Sequence, residues 1–159
     1  MIRAAEKCDL PAILELYSCA RTFMAQNGNP SQWGTTFPPK ELLIQDIVLG
    51  NLYVYEMENK ICGVFSFIVG EDPTYCVIKE GRWISDEPYG AIHRVASDGT
   101  THGFLGKCVE FCTRTISHLR IDTHEDNKIM QKALAKNGFQ KCGIIYTDDG
   151  TPRIAYERT

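Results

Sequence analysis

RVASDGTTHGFLGKCVEFC, residues 94–112, is the stretch on which the fold turns. Its lead-in AIHRVA is apolar and reads as a strand, SDGTTHG is a turn by composition, and a helical pattern runs on from it over about 104–117. A strand that passes through glycines directly into a helix offers an anion the unpaired N–H groups of the first helical turn. The positive end of the helix dipole adds to that grip. The turn carries almost no basic side chain, so an anion there would be gripped without side-chain charge.

Three readings of the turn compete. A Walker-type phosphate loop needs Lys followed by Ser or Thr, but Gly106-Lys107-Cys108 lacks the hydroxyl, and Thr101 stands where the first glycine belongs. A dinucleotide fingerprint meets the same Thr101 in THGFLG (101–106). Asp122 could pass for its ribose-binding acid, yet the roughly fifty residues that remain cannot build the rest of a doubly wound sheet. The third reading, pyrophosphate on a bare helix N-terminus, asks only for small residues where backbone approaches the anion. Thr100 to Gly106 supply them, and a tight turn without ligand is its plain alternative.

Outward from the turn, the elements alternate in a regular way. On the N-terminal side lie a short strand at IRAA (2–5), a helix from about Asp9 to Gln26 and the loop NGNPSQWGTTFPP (27–39). A second helix, KELLIQDIVLGN, follows. Asp9 is the expected cap of the first helix, with Pro11 tolerated in its first turn. LYVYEME and KICGVFSFIVG form a hairpin through Glu58-Asn59, and TYCVI is expected to extend that meander. On the C-terminal side, LRIDT is a strand and DNKIMQKALAKN a helix closed by Gly138. FQKCGIIYT and PRIAYER are strands joined by DDGT. No linker or repeat interrupts the chain, which reads as a single domain over 1–159 of the α+β or α/β class.

The bulk numbers narrow the function. With 159 residues, 43% of them apolar, the chain can bury a core without staples. A net charge of −3 with scattered basic residues gives no footprint for nucleic acid or an anionic membrane. The longest apolar run, ICGVFSFIVG, is too short to span a bilayer. Seven dispersed cysteines without a CxxC pair support neither a zinc ribbon nor a redox motif. Cys108 and Cys112, four apart, share one helix face and read as buried apolar residues. No metal is expected, and a reduced, cytoplasmic compartment fits best.

The order of elements, with GTTHGFLGKCVEFC after AIHRVAS and LRIDTHEDNKIMQKALAKNGF after it, resembles the GCN5-related N-acetyltransferase (GNAT) superfamily over nearly the whole chain. NGFQKCG is similar to that family's strand–helix–"GF" signature. The resemblance implies a splayed, mixed but mostly antiparallel sheet flanked by about four helices, open between its fourth and fifth strands. Acetyl-CoA would lie in that wedge as acyl donor, with an amine of a small molecule, amino acid or protein as acceptor. Homodimerisation is a further expectation by analogy.

Carried onto this sequence, the family's R/Q-x-x-G-x-G/A falls on Thr100, Gly103 and Leu105, and only the glycine is kept. Backbone amides of Thr101 through Leu105 remain for the pyrophosphate, with the Thr100 and Thr101 hydroxyls and His102 as additions; Phe104 and Gly106 complete the segment. One missing charge-assisted hydrogen bond, worth about 1.5–3 kcal/mol, predicts weaker cofactor binding. Val95 and Ala96 would offer backbone to the pantetheine arm. Asn127 matches an asparagine near the cofactor, or it caps the following helix. Where many members carry a tyrosine as general acid, this chain has Leu134.

Acetyl transfer to an amine needs a neutral nucleophile, a polarised carbonyl and a destination for a proton. His93, on the strand beside the expected thioester, is the leading candidate for the proton. His124 with Asp122 could relay a proton or order its loop, and Glu56 could act through water. Trp33 and Phe37 in the 27–39 loop, with Trp83 on a facing irregular stretch, are candidates to contact the acceptor or to pack as a lid. A second class of function stays open: a non-catalytic acyl-CoA-binding or interaction protein that kept the fold.

Overall fold

The structure, a computed structural model, describes residues 1–159. Along the chain come β1 (Ile2–Ala4), α1 (Leu10–Gln26), α2 (Lys40–Val48), β2 (Leu52–Met57), β3 (Lys60–Val69) and β4 (Gly90–Ser97). Then follow α3 (Phe104–Thr113), β5 (Leu119–Thr123), α4 (Lys128–Lys136), β6 (Gln140–Tyr146) and β7 (Pro152–Arg158). The seven strands stand in the order β1-β2-β3-β4-β5-β7-β6. The pairs β1–β2, β2–β3, β5–β7 and β7–β6 are antiparallel, and β4–β5 is parallel. This is the mixed, mostly antiparallel sheet with four helices that the sequence implied. No helix is long and apolar enough to cross a membrane. The chain forms two compact units, residues 1–67 with 93–104, and residues 68–92 with 105–159.

In the first unit, α1 turns Ile13, Leu16, Tyr17 and Ala20 inward, the three- and four-residue spacing of one helix face. They pack with Leu43 of α2, Leu52 and Val54 of β2, and Val64 of β3. The β2–β3 hairpin turns through Glu58 and Asn59, both left-handed (φ +52° and +63°), which matches the twist of the flanking strands without glycine. Asp9 does not cap α1 with its side chain. Its carboxylate accepts instead from the Glu6 amide at 2.8 Å and from both terminal nitrogens of Arg3. The Arg3 guanidinium holds that carboxyl below its ordinary range, more than offsetting the upward push of burial.

The second unit corrects one expectation. TYCVI is not a strand: Asp72 accepts from the Thr74 amide and caps a short 3₁₀ turn over Pro73–Tyr75, where a proline N1 favours helical backbone. The chain then straps across the outer edge of β6. Lys79 and Ile144 exchange both backbone hydrogen bonds at 2.8 Å, and the Arg82 amide donates to the Cys142 carbonyl at 3.0 Å. Gly81 makes that approach possible, since a Cβ there would stand 1.9 Å from the Cys142 oxygen. The strap covers an edge that would otherwise be open to strand addition. Helix α3 stops at Thr113, short of the expected 117, and buries Cys108 and Cys112 completely. Helix α4 closes in a Schellman motif, with Gly138 left-handed and the Phe139 amide on the Leu134 carbonyl.

Candidate active site

The parallel ladder between β4 and β5 is short, Gly90 with Leu119 and Ala91 with Arg120. Three residues beyond it, Arg94 adopts a left-handed backbone (φ +52°), so the strand bulges within its own length. Past the bulge, Val95 is half-buried and Ala96 joins the core of the first unit.

The turn that follows is built by Asp98. Its amide donates to the Cys62 carbonyl of β3 at 3.0 Å, and its Oδ1 accepts from the Thr100 amide (2.9 Å) and hydroxyl (2.6 Å). Burial raises the Asp98 carboxyl, but those two donors and Lys60 outweigh it and leave the group below its ordinary value. Both Thr100 donors therefore face Asp98, which corrects the expectation that this hydroxyl faces an anion. The free hydroxyl of the turn belongs to Thr101, whose Oγ1 is buried and without a hydrogen-bond partner. His102 and Gly103 are exposed. Gly103 is left-handed (φ +67°), with nothing within 4 Å of where a Cβ would stand.

Phe104 opens α3 and anchors the turn. Its ring lies on Gly63 of β3, where a Cβ would come within 2.5 Å of it, between Tyr55 and Phe65 with ring centroids 6.1 and 6.2 Å away. Leu105 is buried, so it contributes backbone alone. Gly106 serves packing: a Cβ there would stand 3.0 Å from Asn137 Oδ1 at the end of α4. An orphaned buried hydroxyl, a glycine open to space and a fresh helix N-terminus meet within four residues, a donor set that fits a pyrophosphate.

The remaining candidates sit as follows. His93 is half-buried on β4, one residue ahead of the bulge. The Glu56 carboxylate accepts from Arg3 Nε at 2.8 Å, an ion pair between β2 and β1. His124 is buried, and its Nδ1 accepts from the Asp126 amide at 3.0 Å, which leaves the neutral ring's proton on Nε2. Asp122 Oδ2 accepts from the Tyr75 hydroxyl at 2.7 Å. Burial, then Asp122, push that phenol well above its ordinary value. Asn127 caps α4, accepting from the Met130 amide at 3.0 Å. Leu134 is fully buried.

Trp33 packs edge-on against Tyr17, with Phe37 tilted beside it (centroids 5.6 and 6.3 Å), as a lid over the core. Alongside this loop runs a groove of about 410 Å³, lined by Ser18, Arg21, Thr22, Gly34 and Thr35. Trp83 is held in the second unit, its Nε1 donating to the Tyr75 carbonyl at 2.8 Å and its face against Arg120. Two clusters escaped the sequence reading, Arg94–Asp46–Ser66 with Tyr17, and Glu157–His118–Arg120. Their partners lie 28 to 77 positions apart, and only a charged residue inside an otherwise apolar strand hinted at them.

An open sheet whose fourth and fifth strands run parallel, joined by a helix headed by a glycine turn, defines the acyltransferases of the GNAT class. Solved structures bear this out. An acetyltransferase of the GNAT family from Streptococcus agalactiae is 29% identical and covers 99% of this chain and 94% of its own, with a TM-score of 0.90. An acetyltransferase from Staphylococcus aureus is 25% identical over 100% of this chain and 98% of its own, with a TM-score of 0.70. At 17% identity, the aminoglycoside acetyltransferase AAC(6')-Ib, solved with coenzyme A and kanamycin, shares the fold over 100% of this chain and 94% of its own (TM-score 0.67). No family model matches the sequence, and no curated protein matches it. In fold, and at 25–29% identity in sequence, the chain is similar to the GNAT superfamily over its whole length.

Proposed function

We propose that this protein is a cytoplasmic, acetyl-CoA-dependent N-acetyltransferase acting on a primary amine. The observation that carries the reading is the head of α3, where Gly103 is left-handed and open to space directly ahead of the first helical turn. The backbone amides from Thr101 to Leu105 and the Thr101 hydroxyl would hold the pyrophosphate, and Val95 and Ala96 would line the pantetheine arm. Acetyl-CoA supplies an activated acyl group. In the balanced reaction the amine nitrogen bonds to the acetyl carbon, the carbon–sulfur bond breaks, the amine loses a proton and the thiolate gains one. His93 is assigned as acceptor of the amine's proton. Glu56 in its ion pair, His124 in its loop and Asn127 in its cap are given structural roles. The groove beside Gly34 and Thr35 is the proposed approach of the acceptor, with Trp33 and Phe37 of the same loop as candidates to contact it.

Leu134 and the turned-in Thr100 favour the second reading, a binder of acyl-CoA without turnover. One experiment separates the two. Free thiol release is followed with acetyl-CoA and a panel of amines, beside thermal stabilisation by coenzyme A. The enzyme reading expects both signals, and expects His93→Ala to lose most turnover while keeping the stabilisation. Stabilisation without turnover on any amine establishes the binder, and absence of both refutes the site.

A further inference from the structure

From Leu16 to Pro39 the chain carries one charged side chain, Arg21, in a protein whose charged content is 23%. That stretch supplies the groove of the first unit, to which α1 gives Ser18, Arg21, Thr22 and Gln26 and the following loop gives Gly34 and Thr35. No carboxylate lines it. Arg3, Arg94, Arg114 and Arg120 each meet an acid, whereas the Arg21 guanidinium makes no ion pair. Its Nη1 donates to the Phe37 carbonyl at 3.0 Å, which ties the end of the loop to α1.

Arg21 is half-buried, so a counter-charge brought to it is worth more than in open water. The tether through Nη1 holds the planar fork in place, and less freedom is lost when its remaining N–H groups close on a ligand. With the hydroxyls of Ser18 and Thr35 beside it, the groove offers donors and one positive charge. Such a surface pairs with an anion and repels a polycation. One guanidinium balances a single negative charge and matches the two oxygens of a carboxylate, which selects that group over a phosphate dianion. We infer that the acceptor is an amine that also carries a carboxylate, as an amino acid does, and that Arg21 is the specificity-determining residue which pairs with it. The inference rests on the acetyltransferase reading above and names the substrate class of that same site.

The test follows free thiol release from acetyl-CoA with four kinds of amine: α-amino acids, their carboxamides, aminoalkyl phosphates and a polyamine. For the best amino acid, kcat/KM should exceed that of its carboxamide about tenfold or more, the worth of one charge-assisted hydrogen bond. Arg21→Gln should raise the KM for that amino acid about tenfold and bring its ratio to the carboxamide close to one. Loss of the loop tether alone would weaken both amines alike and keep the ratio. The melting temperature and the stabilisation by coenzyme A report that the variant is folded. A carboxamide, phosphate or polyamine used as well as the amino acid overturns the inference, and so does a preference that survives Arg21→Gln; turnover on any amine then leaves the acetyltransferase reading standing. If the unmodified protein neither binds coenzyme A nor acetylates an amine, that reading itself fails, and this inference with it.

Discussion

Gly63→Ala should be disproportionately harmful for a one-carbon change. The new Cβ would stand 2.5 Å from both Cε1 and Cζ of Phe104 and 3.0 Å from its Cε2, against an ordinary carbon contact of about 3.5–4.0 Å. The ring would have to retreat by about 1 Å, yet Phe104 is 6% exposed and flanked by Tyr55 and Phe65. Overpacking of this kind costs about 1–3 kcal/mol. At about 2–4 °C per kcal/mol for a chain of this size, the melting temperature should fall by roughly 2–12 °C. Urea unfolding of the four corners of a cycle, with Phe104→Ala as partner, isolates the contact. Phe104→Ala alone should cost about 3–5 kcal/mol for the lost ring, and in its presence Gly63→Ala should cost almost nothing. Because Phe104 is the first residue of α3, Gly63→Ala should also weaken stabilisation by coenzyme A. A penalty below about 0.5 kcal/mol, or an equal one in both backgrounds, refutes the seating of Phe104 on Gly63.

Two further outcomes follow from buried groups in the second unit. Glu157 is fully buried and accepts from His118 Nε2 (2.6 Å) and the Ile84 and Ser85 amides (3.0 and 3.1 Å), with Arg120 Nε at 3.5 Å as a charge contact rather than a hydrogen bond. Glu157→Gln should therefore cost about 3–5 kcal/mol in urea unfolding, and a loss under about 1 kcal/mol would show that the cluster does not depend on its charge. A disulfide thiol reagent should titrate exposed Cys8 and Cys19 quickly in the native protein, Cys76 more slowly because the Glu71 carboxylate holds its thiol protonated, and Cys62, Cys108 and Cys112 only on unfolding; fast labelling of those three contradicts their burial. Burial pushes the Cys112 thiol up to about 12, and Cys108 well above its ordinary value. Their contribution to stability is present below the unfolded thiol pKa of about 8.5. It is lost as pH climbs from there towards the folded value, at about 1.4 kcal/mol per pH unit per thiol.

The fold was legible because its elements carry local signals. The helix faces of α1 and α4, the Gly138 stop and the turn at 98–103 each announce themselves within a few residues. The 71–88 segment did not. Its conformation is set by backbone pairing with β6, where Gly81 and Gly143 permit an approach that no local pattern encodes. The site divides along the same line. That a glycine turn heads α3 was readable, whereas Thr100 turning onto Asp98 was not, because an Asx-turn and a free hydroxyl look alike in sequence. His124 accepts from the Asp126 amide and Asn127 caps α4, the local uses of those residue types.

On the proposed reading, Asp98 explains how the turn ahead of α3 could hold a diphosphate without side-chain cations and still carry an acid. A carboxylate beside a diphosphate would repel it if its charge were free. Here Oδ1 accepts both donors of Thr100, and Oδ2 stands 3.6 Å from Lys60 Nζ, a pair whose lysine is 72% exposed and which adds at most about 1 kcal/mol. What Asp98 contributes is shape: its amide ties the turn to Cys62, its carboxylate closes the turn over Thr100, and Phe104 locks the far end on Gly63. The turn is thereby fixed before any ligand arrives, which removes the ordering cost that a flexible basic loop meets on binding. On the proposed reading, preorganised amides stand in for the missing charge, so binding of coenzyme A should depend on the geometry of Gly103 and Phe104 far more than on salt.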